Sequence, residues 1–503
     1  MSKQSQSHGH IYGEHHVKKH DLLCSDEHRQ AKYRQTEHDQ AELVSFAQCG
    51  SGTSRDGSTR QRSRLNRVRP MLLGLLISAL LPQAWAEAQQ NINLQQAIEK
   101  AQNYQHSQGF WTTQQQIAEA NINQAGLWKN PELSVEQTGF QRNQERELAV
   151  GISQALDIFG ERQATQQLAR VAQSQTELNQ RLYQAQLNLV VKYLWSQLAI
   201  FELERDVVVE QMQVSKENLE ALQKSYQAGS VAQVDVDRVR MSYSENLRLY
   251  HQADLRLQVA TQQLSNLWGE ADKKIKVGLN STALWPADVP AQIERNLSQN
   301  LQEQNRQLQV LGAKANVNVL KAQARPNPTL NFGVTTTRSV ESTTENKVNL
   351  GVSIPLNIFD RKQNGLKIAY AKQALLDRQQ QFYLKQNSLE IGTLMTELQG
   401  LDLQYKQVNQ EQIPLAINVQ KKTLQGFRAG KFAVTDVQQA TLQLQEIRLR
   451  KVQLLKDAWQ RAIQAESLSL GIEPDQVMAA DALSQMNQTI WQETQALPVL
   501  GGE

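Results

Sequence analysis

The sequence predicts a mainly α-helical chain with a transmembrane β-barrel, built as a tandem repeat of long helical hairpins and β-hairpins. Three observations support this fold class: an internal duplication, very long helical stretches, and short stretches in which apolar and polar residues alternate. Aromatic residues make up only 6% of the chain, which suits long helices with narrow apolar stripes. No apolar run approaches the roughly 18 to 20 residues of a membrane-spanning helix, so we expect strands to insert into a membrane.

Residues 64–86 have the features of an export signal. Arginines precede the apolar run 71–81, and the small-residue triplet Ala84-Trp85-Ala86 follows it. We predict a signal peptide that is cut after Ala86, with a short buried helix as the alternative. Residues 1–63 hold seven of the nine histidines and both cysteines. They are predicted to be a disordered leader or an over-extended translation start, and a metal-binding tract is the alternative.

The charge of the chain depends on this leader. Residues 1–86 carry 12 Lys and Arg against 8 Asp and Glu, so the formal net charge of +3 becomes −1 for the remainder. The basic excess belongs to the leader, and we expect no nucleic-acid surface. After residue 86 the histidines are His106 and His251, each isolated, and catalytic motifs are absent from the sequence. We therefore predict no enzyme activity, no cofactor and no bound metal.

Three sequence motifs occur twice, about 200 residues apart. They are Asn130-Pro131 and Asn327-Pro328, GISQALDIFG from Gly151 and GVSIPLNIFD from Gly351, and YQAGSVAQVDV from Tyr226 and FRAGKFAVTDV from Phe427. A fixed period of this kind indicates a tandem duplication. We assign repeat 1 to residues 87–285, repeat 2 to residues 286–487, and a C-terminal tail to residues 488–503.

Each repeat is predicted to begin with a helical region that ends before its Asn-Pro pair. These regions are Leu94 to about Trp128, with Asn93 as the N-cap, and about Ala291 to Ala324. Proline ends a helix because it lacks a donor and pushes the preceding residue out of the helical conformation.

A long helical hairpin is predicted to end each repeat, over 161–268 and over 366–470. The first outgoing helix has no glycine or proline for 68 residues, which corresponds to about 100 Å of helix. Gly229 and Gly430 are expected to form the two turns, since glycine is common just after a helix ends. Pro414 should kink the second outgoing helix.

Between these helices, each repeat contains a predicted β-hairpin, over 132–156 and over 329–356. Leu148, Val150 and Ile152, for example, alternate with small or polar residues. This pattern fits either a soluble sheet with one buried face or a transmembrane barrel with apolar side chains toward lipid. The length of the neighbouring helices favours the barrel. Four strands are too few to close one, so three copies would supply twelve strands and a barrel of twelve long helices.

The order of these elements resembles the TolC-type outer membrane efflux proteins across nearly all of residues 87–487. The most specific marks are the two turn motifs, in which an aromatic residue, Ala-Gly and a later Asp follow one another. The stretches NPELSVEQTGF, GISQALDIFGER and RPNPTLNFGV further resemble the CzcC-like branch, which serves exporters of heavy-metal cations.

The resemblance implies a homotrimer in outer membrane lipid, with its helical barrel in the periplasm. It also implies two partners, a periplasmic adaptor (membrane fusion protein) and an inner-membrane pump of the resistance-nodulation-division type. The periplasmic aperture and the adaptor contacts would lie at the two turns, formed by Ala228, Gly229, Asp235, Ala429, Gly430 and Asp436. The alternative for the two aspartates is that each only complements the dipole of its helix.

Under this interpretation the chain is a passive export duct for divalent heavy-metal cations. Two alternatives remain open. The same duct could serve drugs or type I secretion, because the sequence contains no substrate pocket. A periplasmic coiled-coil adaptor is the other alternative, although such a protein needs one helical hairpin rather than two.

Overall fold

The computed structural model describes most of the chain from Gln90 onward. The described residues are 90–140, 144–270, 275–277, 284–299, 301–341 and 343–488. The predicted leader and signal peptide, residues 1–86, lie outside them, as does nearly all of the predicted tail.

Two helices, rather than one, open the first half of the chain. Strand β1 (Gln90–Asn91) is followed by α1 (Leu94–Ser107) and α2 (Phe110–Ala125). The helical region predicted from Leu94 to about Trp128 is therefore helical, but it is divided into two helices. Gly109, between the two helices, has a φ of +67°, and a residue in this left-handed conformation ends a helix.

The predicted N-cap of α1 is confirmed. Asn93 Oδ1 accepts a hydrogen bond from Gln96 N at 2.8 Å, and Asn93 N donates to Gln96 Oε1 at 3.0 Å. This reciprocal pair satisfies two amides at the start of the helix.

The first long hairpin consists of α3 (Glu161–Gln227) and α4 (Gln233–Asn266). Helix α3 has 67 residues, which gives a length of about 100 Å. It begins where the Asp157 carboxylate accepts hydrogen bonds from Glu161 N at 2.8 Å and Arg162 N at 2.9 Å. The helix therefore starts directly after the first β-hairpin and runs without interruption to its turn.

Helices α5 (Val289–Gln299) and α6 (Leu301–Gln323) occupy the corresponding leading region of the second half. The preceding strand is β4 (Ile275–Lys276), which pairs in parallel with β1. This two-stranded sheet was not predicted from the sequence, because strands of two residues show no periodicity.

The outgoing helix of the second long hairpin is interrupted. It consists of α7 (Gln363–Gln407), a π-helical turn (Val408–Gln412) and α8 (Ile413–Arg428), and it returns as α9 (Val434–Leu470). The interruption precedes Pro414, where a kink was predicted. Proline cannot donate to the carbonyl four residues earlier, and the amide of Ile413 reaches back five residues to the Val408 carbonyl.

Four antiparallel strands form one continuous sheet in the order β2-β3-β5-β6. They are β2 (Glu132–Thr138), β3 (Arg146–Ala155), β5 (Thr329–Arg338) and β6 (Thr344–Ser353). The two hairpins join through β3 and β5, which pair along ten residues each. Strands β2 and β6 are consequently the two edges of this sheet.

The largest apolar core lies away from the sheet, where α1, α3, α4 and α9 meet. Two buried tryptophans attach to this core the segments that precede α1 and α5. Trp195 Nε1 donates to the Ile92 carbonyl at 3.2 Å, and Trp459 Nε1 donates to the Leu284 carbonyl at 2.7 Å. A short helix, α10 (Asp475–Met478), closes the same core.

None of the helices in the described part of the chain combines the length and the apolar character that a lipid bilayer requires of a spanning helix.

Candidate functional site

One face of the four-stranded sheet is apolar and uncovered. Rows of side chains run across all four strands, as where Leu133, Ile152, Phe332 and Leu350 stand opposite one another in turn. Members of this face are 39% to 75% exposed. They are Leu133, Val135, Leu148, Val150, Ile152, Leu330, Phe332, Val334, Val348, Leu350 and Val352. A patch of this kind marks a surface that contacts a partner or lipid.

The opposite face is made of small and polar residues. Its central row consists of Ser134, Gly151, Gly333 and Asn349, again opposite one another in turn. Hydrogen bonds connect neighbouring strands on this side, as from Asn349 Nδ2 to Thr335 Oγ1 at 2.7 Å. We name these two sides the apolar face and the polar face.

Charged residues of the described strands are divided between the faces by sign. Strand alternation and register assign all the carboxylates to the polar face, together with one lysine: Glu132, Glu136, Glu147, Glu345 and Lys347. The two arginines, Arg146 and Arg338, belong to the apolar face, at the end of the sheet that carries the hairpin turns. The polar face of these strands therefore has a net negative charge.

The turn between α3 and α4 has a specific hydrogen-bonded geometry. Gly229 has a φ of +74°, and its amide donates to the Tyr226 carbonyl at 2.9 Å. The Ser230 amide donates to the Ser225 carbonyl at 3.0 Å. These two bonds define a Schellman motif, in which a left-handed glycine allows the last carbonyls of a helix to find donors.

The turn between α8 and α9 repeats this geometry residue by residue. Gly430 has a φ of +71° and donates to the Phe427 carbonyl at 2.9 Å, while Lys431 donates to the Gly426 carbonyl at 2.8 Å. The equivalence of the two sequence motifs therefore extends to their backbone conformation.

The two turns lie at the same end of the helical bundle. Val434, in the first turn of α9, packs against a small cluster formed by Leu222, Val236 and Val239 next to the other turn. Further along, the buried Gln445 Nε2 lies 3.4 Å from Asn246 Oδ1. The structure therefore brings Ala228, Gly229, Ala429 and Gly430 to a common end of the bundle.

The two predicted aspartates occupy the same position in the first turn of their helices but make different contacts. Asp436 Oδ2 accepts a hydrogen bond from the Ala433 amide at 2.8 Å. Asp235 Oδ1 instead lies 3.6 Å from Arg238 Nη1. Asp436 thus caps the start of α9, whereas Asp235 forms an ion pair within the first turns of α4.

Sequence reasoning missed two features of these turns. Phe432 packs on Gly426, where an added Cβ would lie 2.2 Å from the ring, so this glycine is required for close contact. The small cluster with Val434 joins residues of both hairpins. The glycine directly before the aromatic-x-Ala-Gly motif offered a signal for the first feature. The second depends on helix packing that no local pattern encodes.

Among the residues that the structure describes, no group of three or more His, Cys, Asp or Glu side chains is arranged to hold a metal ion.

Comparison with known proteins identifies the type of fold. No family model matches the sequence. The chain is similar to the cobalt-zinc-cadmium resistance protein CzcC of Cupriavidus metallidurans, at 27% identity over 253 residues. The alignment covers 50% of this chain and 59% of CzcC, so it spans less than two thirds of that relative.

Two solved structures extend the comparison over most of the chain. CusC, described for its transmembrane channel formation, gives a TM-score of 0.60 at 18% identity and covers 78% of this chain and 94% of its own. The outer membrane protein VceC from Vibrio cholerae gives 0.57 at 17% identity, covering 76% and 96%. The similar proteins are named for a channel, for the outer membrane and for metal resistance. The predicted resemblance to the TolC-type efflux proteins and their CzcC-like branch is confirmed, as is the mainly helical fold class.

Proposed function

We propose that this chain is the outer membrane channel subunit of a tripartite efflux system and a passive duct for divalent heavy-metal cations. One observation carries the proposal: a four-stranded sheet has one extensive, uncovered apolar face without carboxylates, while its opposite face is polar and negatively charged. A lipid bilayer is the environment that stabilises the first face, and an aqueous lumen suits the second.

The trimer in this proposal follows from the two edge strands. Strand edges in a membrane must be paired, because unsatisfied amides and carbonyls are costly there. Strands β2 and β6 each have one edge unpaired within the described sheet, so β6 would pair with β2 of the next copy. Three copies close a barrel of twelve strands, from which the long helices would continue as a helical barrel into the periplasm.

A register for this pairing follows from the duplication. Strand β3 corresponds to β6, since Gly151 matches Gly351, and β2 corresponds to β5, since Pro131 matches Pro328. If the β6–β2 junction between copies repeats the β3–β5 junction within the chain, Val352 stands opposite Val135. Both residues belong to the apolar face, so this register keeps the two faces continuous around the barrel.

The cargo is proposed from charge and from the similarity to CzcC. The polar face carries four glutamates and one lysine in each chain, and rings of carboxylates attract cations into a pore. The cobalt, zinc and cadmium in the name of CzcC place divalent cations first among the cargoes to be tested.

The helical turns would serve as the aperture and the adaptor contact. Ala228, Gly229, Ala429 and Gly430 lie together at the end of the bundle remote from the sheet. Asp235 and Asp436 would set the charge of the opening, in addition to the helix contacts described above. The periplasmic adaptor would dock on these turns and link the channel to an inner-membrane pump of the resistance-nodulation-division type.

A deletion strain and its complementation test this function. We expect the chain to sediment with the outer membrane and the deletion to lower tolerance to Zn, Cd or Co without lowering tolerance to a panel of drugs. Recovery of the chain as a monomer in the soluble periplasm would contradict the channel itself. Unchanged metal tolerance with altered drug tolerance would contradict only the cargo.

A further inference from the structure

Two arginines stand opposite one another at the end of the apolar face. Arg146 on β3 and Arg338 on β5 form the last pair of the ten-residue ladder, and both are exposed. Side chains directly opposite across an antiparallel pair have Cβ atoms about 4.5–5.5 Å apart, and like charges in this arrangement repel. The pair is therefore unfavourable unless an anion lies between the guanidinium groups.

The described strands do not provide that anion. Their glutamates belong to the polar face, and Glu147 and Glu345 are the ones level with this end of the sheet. The ion pair on these strands joins Lys347 Nζ to Glu345 Oε2 at 3.5 Å, on the polar face. Thr344, which stands opposite Arg338 on its other side, adds a hydroxyl but no charge.

The surroundings of the two arginines combine charge with apolar surface. Leu148 is the next apolar residue along β3, and Val150 and Val334 stand opposite one another two rows from the arginines. The distance along the strand from Arg146 to Val150 is about 13 Å. A ligand with an anionic head and hydrocarbon chains would contact the guanidinium groups and the apolar rows at once.

We propose that Arg146 and Arg338 form a binding site for the phosphate group of an anionic membrane lipid. The planar fork of each guanidinium matches phosphate oxygens with two parallel hydrogen bonds, and two adjacent forks share one phosphate. This inference rests on the proposed function, because it requires the apolar face to be in a bilayer. With the long helices in the periplasm, the hairpin turns and the arginines lie at the outer leaflet.

Lipid binding to the purified full-length trimer tests the site. The probe is phosphatidic acid in non-ionic detergent micelles, and diacylglycerol with the same acyl chains is the control without phosphate. We expect R146Q/R338Q to bind phosphatidic acid at least about tenfold more weakly than the wild type, because it loses several charge-assisted hydrogen bonds. R146K/R338K, which keeps the charge but loses the fork, should bind with intermediate affinity. K347Q removes one positive charge from the opposite face and should bind like the wild type.

The outcomes separate the site from the proposed function. Equal affinity of the wild type and R146Q/R338Q for phosphatidic acid would overturn the site, as would inorganic phosphate binding to the wild type as tightly as the lipid does. Trimer formation and outer membrane fractionation are measured first for each protein. If the wild type fails these measurements, the proposed function fails; if all variants pass them and lipid affinity is unchanged, only the lipid site fails.

Discussion

Lys192 and Glu466 form a buried ion pair that joins the two halves of the chain. Lys192 Nζ lies 2.5 Å from Glu466 Oε1, linking α3 to α9 across 274 residues of sequence. The Glu466 side chain is 2% exposed and that of Lys192 15%. The ammonium also lies 5.8 Å from the centre of the Trp459 ring. A single contact in the bundle core thus connects residues from both predicted repeats.

Breaking this pair should destabilise the chain. K192M leaves the Glu466 carboxylate buried without its cation, and we expect a loss of about 3–5 kcal/mol in the free energy of unfolding. The double variant K192M/E466M, which removes both charges, should recover most of this loss. Denaturant unfolding of the purified proteins measures both effects, and equal stability of K192M and the wild type would contradict the prediction.

The same variant should respond to pH. Burial is the largest influence on Glu466 and raises the pKa of its carboxyl above the ordinary value, with a smaller rise from Asp288, while Lys192 and Arg295 lower it. Because folding raises this pKa, protonation of Glu466 favours the folded chain. This contribution to stability is complete below the unfolded pKa of about 4.3 and is lost as pH rises through the folded pKa. K192M removes the largest influence that lowers this pKa, so the stability deficit of the variant should grow as pH rises above the unfolded value.

The long hairpins and the strands could be predicted from the sequence because each has a local signal. A run without glycine or proline defined α3, and alternation defined β3 and β6. The break at Gly109 was missed because one glycine inside a helical pattern does not determine its own conformation. The Lys192–Glu466 pair was missed because no local pattern relates residues on different helices.

The candidate site residues could be predicted from the sequence only where a local pattern marks them. The duplicated motif identified both turns, but their meeting at one end of the bundle depends on the packing of Val434 on the other hairpin. The division of charge between the two faces of the sheet follows from alternation together with register, and only the structure supplies the register of β3 against β5.

Two adjacent residues of β6 test the assignment of the sheet faces. Leu350 lies on the apolar face and is 75% exposed, while Asn349 lies on the polar face. In L350R a charge enters the bilayer at a cost of about 2–4 kcal/mol per chain. We expect L350R to reduce the amount of trimer in the outer membrane strongly and N349R to leave it near the wild-type level. Equal behaviour of the two variants would refute the membrane assignment of this sheet.

Cysteine cross-linking tests the proposed register between copies. The sequence has no cysteine after Cys49, so introduced pairs are unambiguous in the part of the chain that the structure describes. V135C/V352C should form a disulfide between neighbouring copies under mild oxidation and give covalent trimers on denaturing gels. V135C/V348C keeps both cysteines on the apolar face but moves one four residues along β6, about 13 Å away, and should not cross-link. Efficient cross-linking of the second pair instead would replace this register with another.

Two glycines of the second hairpin should respond oppositely to alanine. Gly430 has a φ of +71°, so G430A should lower stability by about 1–2 kcal/mol although nothing within 4 Å would contact the new Cβ. Gly400 lies inside α7 in open space, and G400A should raise stability by about 0.5–1 kcal/mol by restricting the unfolded chain. Thermal unfolding midpoints of the two variants decide the matter, and a destabilised G400A would contradict this account.

Two variants of Asp436 distinguish its role as a helix cap from its proposed role in the aperture. Its carboxylate accepts the Ala433 amide at 2.8 Å, so D436A should lose about 1 kcal/mol of stability, whereas D436N keeps an acceptor oxygen and should remain close to the wild type. If the charge of Asp436 acts at the opening, both variants should lower cadmium tolerance in the complemented deletion strain by a similar amount. If D436N restores full tolerance and D436A does not, the carboxylate serves only the helix, and the aperture must depend on other residues of the two turns.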